Sequence, residues 1–188
     1  MVSENISFID YSNSIKIVLV GTTHPGNIGA AARAIKTMGL SNLDLVCPKE
    51  FPSNEATYRS KAAKDILEKA SVYETLLESV SDCEVVIGTS ARNRKVPWPV
   101  LNPKNASIEI NKAVKNSSKV AIVFGREDRG LTNEELGLCN LHVHIPTAEE
   151  YSSLNLAQAV QIITYEIRMS FMGKENLENN QEWDVDLA

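Results

Sequence analysis

Short apolar runs recur along the chain at 15–20, 43–46, 84–88, 119–124 and 141–145. Most are continuous rather than alternating, which predicts strands covered on both faces. Between them, apolar residues recur with a period near 3.6, predicting helices over 28–38, 54–69, 72–80, 104–115 and 132–138. Strand and helix therefore alternate, and the pattern predicts an α/β fold with a mostly parallel sheet flanked by helices. Several ends carry local signals: Asn27 as an N-cap, Gly39 just past a helix end, and Thr132-x-x-Glu135 with the form of a capping box. In the first helix Ile28, Ala31, Ala32 and Ile35 make one apolar stripe, while Gly29, Arg33 and Lys36 share another. That spacing presents Arg33 away from the core, beside a glycine expected to leave room for a ligand.

A last helix is predicted over 153–171, and its pattern differs from the others. Leu154, Leu156, Val160, Ile162, Ile163, Tyr165, Ile167, Met169 and Phe171 run most of the way round it. One sheet face cannot bury them all, so a partner subunit or a deep core position is expected to cover the remainder. The 188 residues predict one domain over 15–173, preceded by an N-terminal segment at 1–14 and followed by a tail at 174–188.

Composition changes this picture little, and charge changes it locally. The hydrophobic content of 43% and charged content of 23% are those of an ordinary globular chain, which excludes collagen-like and low-complexity readings. No apolar run approaches the ~20 residues of a bilayer span, and the start, Met1-Val2-Ser3-Glu4-Asn5, lacks the basic region of a signal peptide. Three cysteines, with no C-x-x-C pair, predict a reduced, cytoplasmic protein. The net charge of −5 argues against binding nucleic acid through bulk positive field, but the tail alone sets one lysine against five acids. Within 91–104, Arg92, Arg94, Lys95 and Lys104 stand without an acid, as a solvated loop or as an anion-binding lip.

The loop from Gly21 to Gly29 joins a strand to a helix, where backbone amides receive anions. It is not a Walker A, because Gly26 is followed by Asn27-Ile28 rather than Lys and Ser/Thr, and the G-x-G-x-x-G spacing of dinucleotide folds is absent. Three further segments each follow a predicted strand: Gly88-Thr89-Ser90-Ala91-Arg92, Phe124 to Leu131, and Ile145-Pro146 with Ser152-Ser153-Leu154-Asn155-Leu156-Ala157. In a parallel sheet all three open on one edge, rich in hydroxyls and free amides suited to a small polar molecule. Read singly, each is also a turn or a cap.

Together with Asn27-x-Gly29-x-x-x-Arg33-Ala34, these segments resemble, in order and spacing, the SpoU branch of the SPOUT RNA methyltransferases over about 15–171. The run from Pro25 to Ala34, the Gly88 to Arg92 loop and Tyr165-Glu166-x-Arg168 are most similar to the TrmJ type. The resemblance implies a C-terminal trefoil knot, a homodimer through the last helix with the active site at its interface, and S-adenosylmethionine as cofactor with no metal. It implies methylation of the ribose 2′-oxygen of tRNA nucleotide 32, cytidine or uridine. TrmJ-type proteins carry a C-terminal extension, and 174–188 is either an acidic tail or the start of one.

Carried onto this sequence, the resemblance makes Thr89, Ser90, Ala91, Gly125, Ile145, Ser153 and Leu154 cofactor-binding. It makes Asn27, Arg33, Glu127, Ser153 and Asn155 the catalytic set, with Arg92, Arg94 and Lys95 meeting RNA. A guanidinium is a poor proton acceptor, so Arg33 is expected to stabilise charge on the 2′-oxygen rather than act as base, and Glu127 to organise its loop. His142-x-His144 is expected to be structural rather than metal-binding. The alternatives are ribosomal RNA or another tRNA ribose as substrate, a non-catalytic RNA-binding module on the same fold, or an interaction protein docking through its last helix.

Overall fold

The computed structural model describes residues 11–90 and 100–172. In chain order these form β1 (Ile15–Val20), α1 (Pro25–Thr37), β2 (Asn42–Val46), α2 (Asn54–Ser60), a 3₁₀ turn (Lys61–Ala63), α3 (Lys64–Glu68) and β3 (Ser71–Tyr73). Then follow α4 (Leu76–Val80), β4 (Val85–Thr89), β5 (Val100–Leu101), α5 (Pro103–Lys115), β6 (Val120–Phe124), α6 (Asn133–Gly137), β7 (Leu141–Val143) and α7 (Leu156–Met172).

The strands pair in the order β3-β2-β1-β6-β4-β7-β5, and every pair is parallel. Side chains alternate across this sheet and fill two separate cores. Ile15, Ile17, Leu19, Ile122 and Phe124 pack with α1, α3, α5 and α7 on one face. Val18, Val20, Val86 and Val123 pack with α4 and α6 on the other. Burial on both faces is why the central strands read as continuous apolar runs. Because β1, β6, β4 and β7 are adjacent and parallel, the loops at 21–24, 125–132 and 144–155 leave from one edge, together with the chain after Thr89. On the opposite edge Lys16 bridges Asp44 at 3.3 Å and Asp82 at 2.9 Å, so the charges there are largely paired with one another.

Several elements differ from the sequence reading. The helix expected over 54–69 breaks at Lys61, whose φ is +54°. Its buried residues Ala56, Ser60, Ala63 and Leu67 keep the spacing of an unbroken helix, so periodicity conceals the break. The helix expected over 72–80 is strand β3 followed by α4, whose start is fixed by a reciprocal capping box between Thr75 and Glu78. Strand β5 has only two residues, too few to carry a period. The first helix begins at Pro25, with His24 at the N-cap, so Asn27 lies inside the helix and is not its cap. The last helix begins at Leu156 and packs against α1 and α5 as well as over the sheet; Leu156, Val160, Ile163, Thr164 and Ile167 are its buried face.

Candidate active site

The loops on the shared edge enclose a cavity of about 320 Å³. Phe124, Leu131, Leu136, Val143, Ile145, Leu154 and Leu156 give it apolar walls, and Thr89, Ser90, Thr147, Ser152 and Ser153 bring hydroxyls to it. The volume lies within the ~300–1,000 Å³ of small-molecule sites, and an apolar slot with a few placed polar groups is their usual chemistry.

The loop after β6 is folded back on itself. Arg126 and Gly130 exchange backbone hydrogen bonds of 3.3 and 2.8 Å, and Gly130 takes φ +71°, a conformation that favours glycine. This brings the turn onto Gly125, where an added Cβ would stand 2.1 Å from the Gly130 carbonyl carbon. Arg126 donates two hydrogen bonds to the Glu135 carboxylate, at 2.9 and 3.0 Å. The same carboxylate closes the capping box with Thr132, accepting its amide at 2.7 Å. The expected box at the start of α6 thus also fastens the site loop through a bidentate ion pair.

Glu127 leaves that loop in the direction of β1. Its Oε2 accepts from the Thr23 amide at 3.0 Å and hydroxyl at 2.9 Å; its Oε1 accepts from the His24 amide at 3.2 Å and Asn27 Nδ2 at 3.0 Å. Burial alone would push the Glu127 carboxyl up, but the donors from Asn27, Thr23 and His24 outweigh it and hold it at about 2. Asn27 Oδ1 in turn accepts from Asn155 Nδ2 at 3.0 Å. Asn155 also starts α7: its Oδ1 accepts the Ala157 amide at 2.9 Å, while its own amide donates to Gln158 at 3.3 Å. A chain of hydrogen bonds from Glu127 through Asn27 to Asn155 therefore joins the loop after β6, the first turn of α1 and the start of α7, segments distant in sequence. A carboxylate this acidic, with four donors on it, is a fixed anion at neutral pH and a weak base.

Of the expected cofactor residues, Thr89, Ser90, Gly125, Ile145, Ser153 and Leu154 line this one cavity. Glu127 and Ser153 also line it, while Asn27 and Asn155 reach it through Glu127. Arg33 does not line it. It is exposed on α1, six residues or about 9 Å of helix rise beyond Asn27. The space expected beside Gly29 is absent, because an added Cβ there would meet the Ala56 carbonyl oxygen at 2.1 Å. Gly29 is instead the seat of α2. Ala91, Arg92, Arg94 and Lys95 lie outside the described residues. The two histidines have structural partners: His142 is buried with Nε2 3.3 Å from the Leu136 carbonyl, and His144 Nδ1 lies 3.0 Å from the Ser90 carbonyl.

Sequence reasoning missed Thr23 and His24 as the partners of Glu127, and Thr147 on the cavity wall. It also missed the Arg126–Glu135 clamp, although Glu135 was already visible in the capping box.

The family described as the SpoU rRNA methylase family matches residues 14–165. The tRNA (cytidine/uridine/adenosine-2′-O-)-methyltransferase TrmJ of Pseudomonas aeruginosa is 52% identical over 168 residues, covering 89% of this chain and 65% of that protein. The chain therefore spans just under two thirds of that relative's length. A probable methylase family protein from Haemophilus influenzae superposes with a TM-score of 0.81 at 46% identity, covering 92% of this chain and 72% of the other. TrmJ from Z. mobilis superposes with a TM-score of 0.77 at 36% identity, covering 82% and 69%. With its three signature segments gathered at one sheet edge, the chain belongs to the SpoU rRNA methylase family, on its TrmJ branch.

Proposed function

We propose that the chain is an S-adenosylmethionine-dependent tRNA methyltransferase acting on the ribose 2′-oxygen, with nucleotide 32, cytidine or uridine, as its target. The observation that carries this reading is the cavity at the C-terminal sheet edge, with its loops tied together by Glu127, Asn27 and Asn155. The relatives named as 2′-O-methyltransferases of tRNA cytidine and uridine support the choice of substrate.

The residues fit the cofactor. The apolar walls from Phe124, Leu131, Val143 and Ile145 suit an adenine ring, and the Thr89, Ser90 and Ser153 hydroxyls suit the polar remainder. Gly125 keeps the floor free of a side chain. When bound, S-adenosylmethionine supplies an electrophilic sulfonium methyl group. Thr89, Ser90, Ala91, Gly125, Ile145, Ser153 and Leu154 hold it, and the Ser153–Asn155 segment shapes the entrance for the ribose. Arg33 binds the neighbouring phosphate and stabilises negative charge developing on the 2′-oxygen. Glu127 is a positioning residue that fixes the first turn of α1. It does not take the proton, which leaves to solvent or to a substrate phosphate. Arg92, Arg94 and Lys95 meet the RNA backbone.

The reading includes the trefoil knot at the C-terminal edge that the family resemblance implies, at the edge where the Asn27–Asn155 hydrogen bond brings the starts of α1 and α7 together. It includes a homodimer through α7, with the active site at the interface. Tyr165 remains 47% exposed and Ile162 and Met169 are only half-buried, while Arg33 lies off its own chain's cavity and needs the site to be completed from outside. The cytoplasm, where tRNA is processed, is the compartment. No metal enters the reading.

Calorimetry with S-adenosylhomocysteine tests the cofactor, and light scattering the dimer. Saturable heat and a particle of twice 20.7 kDa are expected. No heat with S-adenosylhomocysteine but clear binding of NAD or ATP overturns the reading.

A further inference from the structure

A cationic ridge with one exposed aromatic ring runs beside the first signature segment, on α1 and α2. The two helices lie side by side and run the same way. Gly26 meets Glu55 and Arg59, Gly29 meets Ala56 and Arg59, and Lys36 bonds Asp65 and the Ala62 carbonyl. Arg33 falls between Gly29 and Lys36 on this stripe, so it stands alongside the stretch from Arg59 to Ala62. Arg33, Arg59 and Lys61 are all exposed, and none forms an ion pair with a described residue. Lys36, by contrast, is neutralised by Asp65 at 2.6 Å. Tyr58 is 69% exposed, and the left-handed turn at Lys61 returns its ammonium to 3.9 Å from the ring centroid. The cation covers one side of the ring and restrains it, leaving a flat apolar surface between unpaired cations.

Cations that track a backbone, interleaved with an aromatic face, are what unpaired nucleotides require. We propose that Tyr58, Arg59 and Lys61 form a docking surface for single-stranded RNA, with Tyr58 stacking on an unpaired base next to the modified nucleotide and the two cations holding its phosphates. The proposal rests on the RNA-methyltransferase reading and extends its RNA contacts from Arg33 onto α2.

The test measures binding of a tRNA anticodon stem-loop by the 188-residue chain, as a function of salt, in Tyr58→Ala, Tyr58→Phe, Arg59→Gln and Lys61→Gln variants. Tyr58→Ala is expected to weaken binding about 5- to 50-fold, while Tyr58→Phe retains it, because the ring face rather than the hydroxyl stacks. Each cation removed lowers the salt slope by about one, with S-adenosylhomocysteine affinity and particle mass unchanged. Tyr58→Ala binding the stem-loop as tightly as the parent overturns the surface. So does a variant that loses its dimer, which would assign the ridge to protein contact. A parent chain that binds S-adenosylhomocysteine but no stem-loop overturns the surface alone; one that binds neither overturns the methyltransferase reading with it.

Discussion

Asn155 Nδ2 donates a 3.0 Å hydrogen bond to Asn27 Oδ1 across 128 residues of sequence. The bond couples the start of α7 to the first turn of α1, and Asn27 passes the connection on to Glu127. The bond is open to water, which takes over the freed polar atom, so removing either asparagine costs about 0.5–1.5 kcal/mol. Asn27→Ala and Asn155→Ala should each lower the melting temperature by a few degrees, and the double variant by less than the sum, since both break one chain. Differential scanning calorimetry on the four proteins checks this; strictly additive losses would show that the bond is not formed.

Acid sensitivity should trace to Glu127. Its carboxyl is held at about 2 in the folded chain against an ordinary value of 4.5, so in that interval the unfolded state binds more protons. Stability from this group is full above about pH 4.5 and is lost as pH falls toward 2. Glu127→Gln removes the titrating group, and its melting temperature should fall less steeply over that range. Parallel profiles for the two proteins contradict the assignment.

Gly125→Ala places a methyl group where the Gly130 backbone already lies. The turn must move, and with it the cavity floor. Affinity for S-adenosylhomocysteine should fall at least about tenfold by calorimetry, the scale of one or two lost backbone contacts. Gly29→Ala makes a comparable clash with the Ala56 carbonyl, between two residues that do not line the cavity. It should lower the melting temperature and leave the affinity of the folded fraction unchanged.

Arg33→Ala should fold and bind S-adenosylhomocysteine like the parent, because the side chain is exposed and off the cavity. Turnover on tRNA should fall at least about 10²-fold, the scale of one electrostatic group acting on developing charge. Single-turnover methyl transfer checks it, and undiminished turnover removes Arg33 from the chemistry.

The parallel sheet was legible because burial on both faces leaves unbroken apolar runs such as Val120–Phe124. The break at Lys61 was not, because Ala56, Ser60, Ala63 and Leu67 keep helical spacing across it. At the site, the segments around Thr89, Gly125 and Ser153 could be placed on one edge because each follows a predicted strand of a sheet read as parallel. Asn27 was misread as a cap because Asn is a favoured capping residue, and only tertiary packing reveals its side chain turned toward Glu127 and Asn155. The seat that Gly29 makes for α2 was equally invisible, since it depends on a helix 25 residues further along.

The most direct test of the central claim is to incubate the chain with tRNA and isotopically labelled S-adenosylmethionine, digest the RNA, and map labelled nucleosides by mass spectrometry. The account predicts label in a 2′-O-methyl pyrimidine at nucleotide 32, lost in Arg33→Ala. Label on a base, or none transferred by a chain that binds S-adenosylhomocysteine, would contradict it.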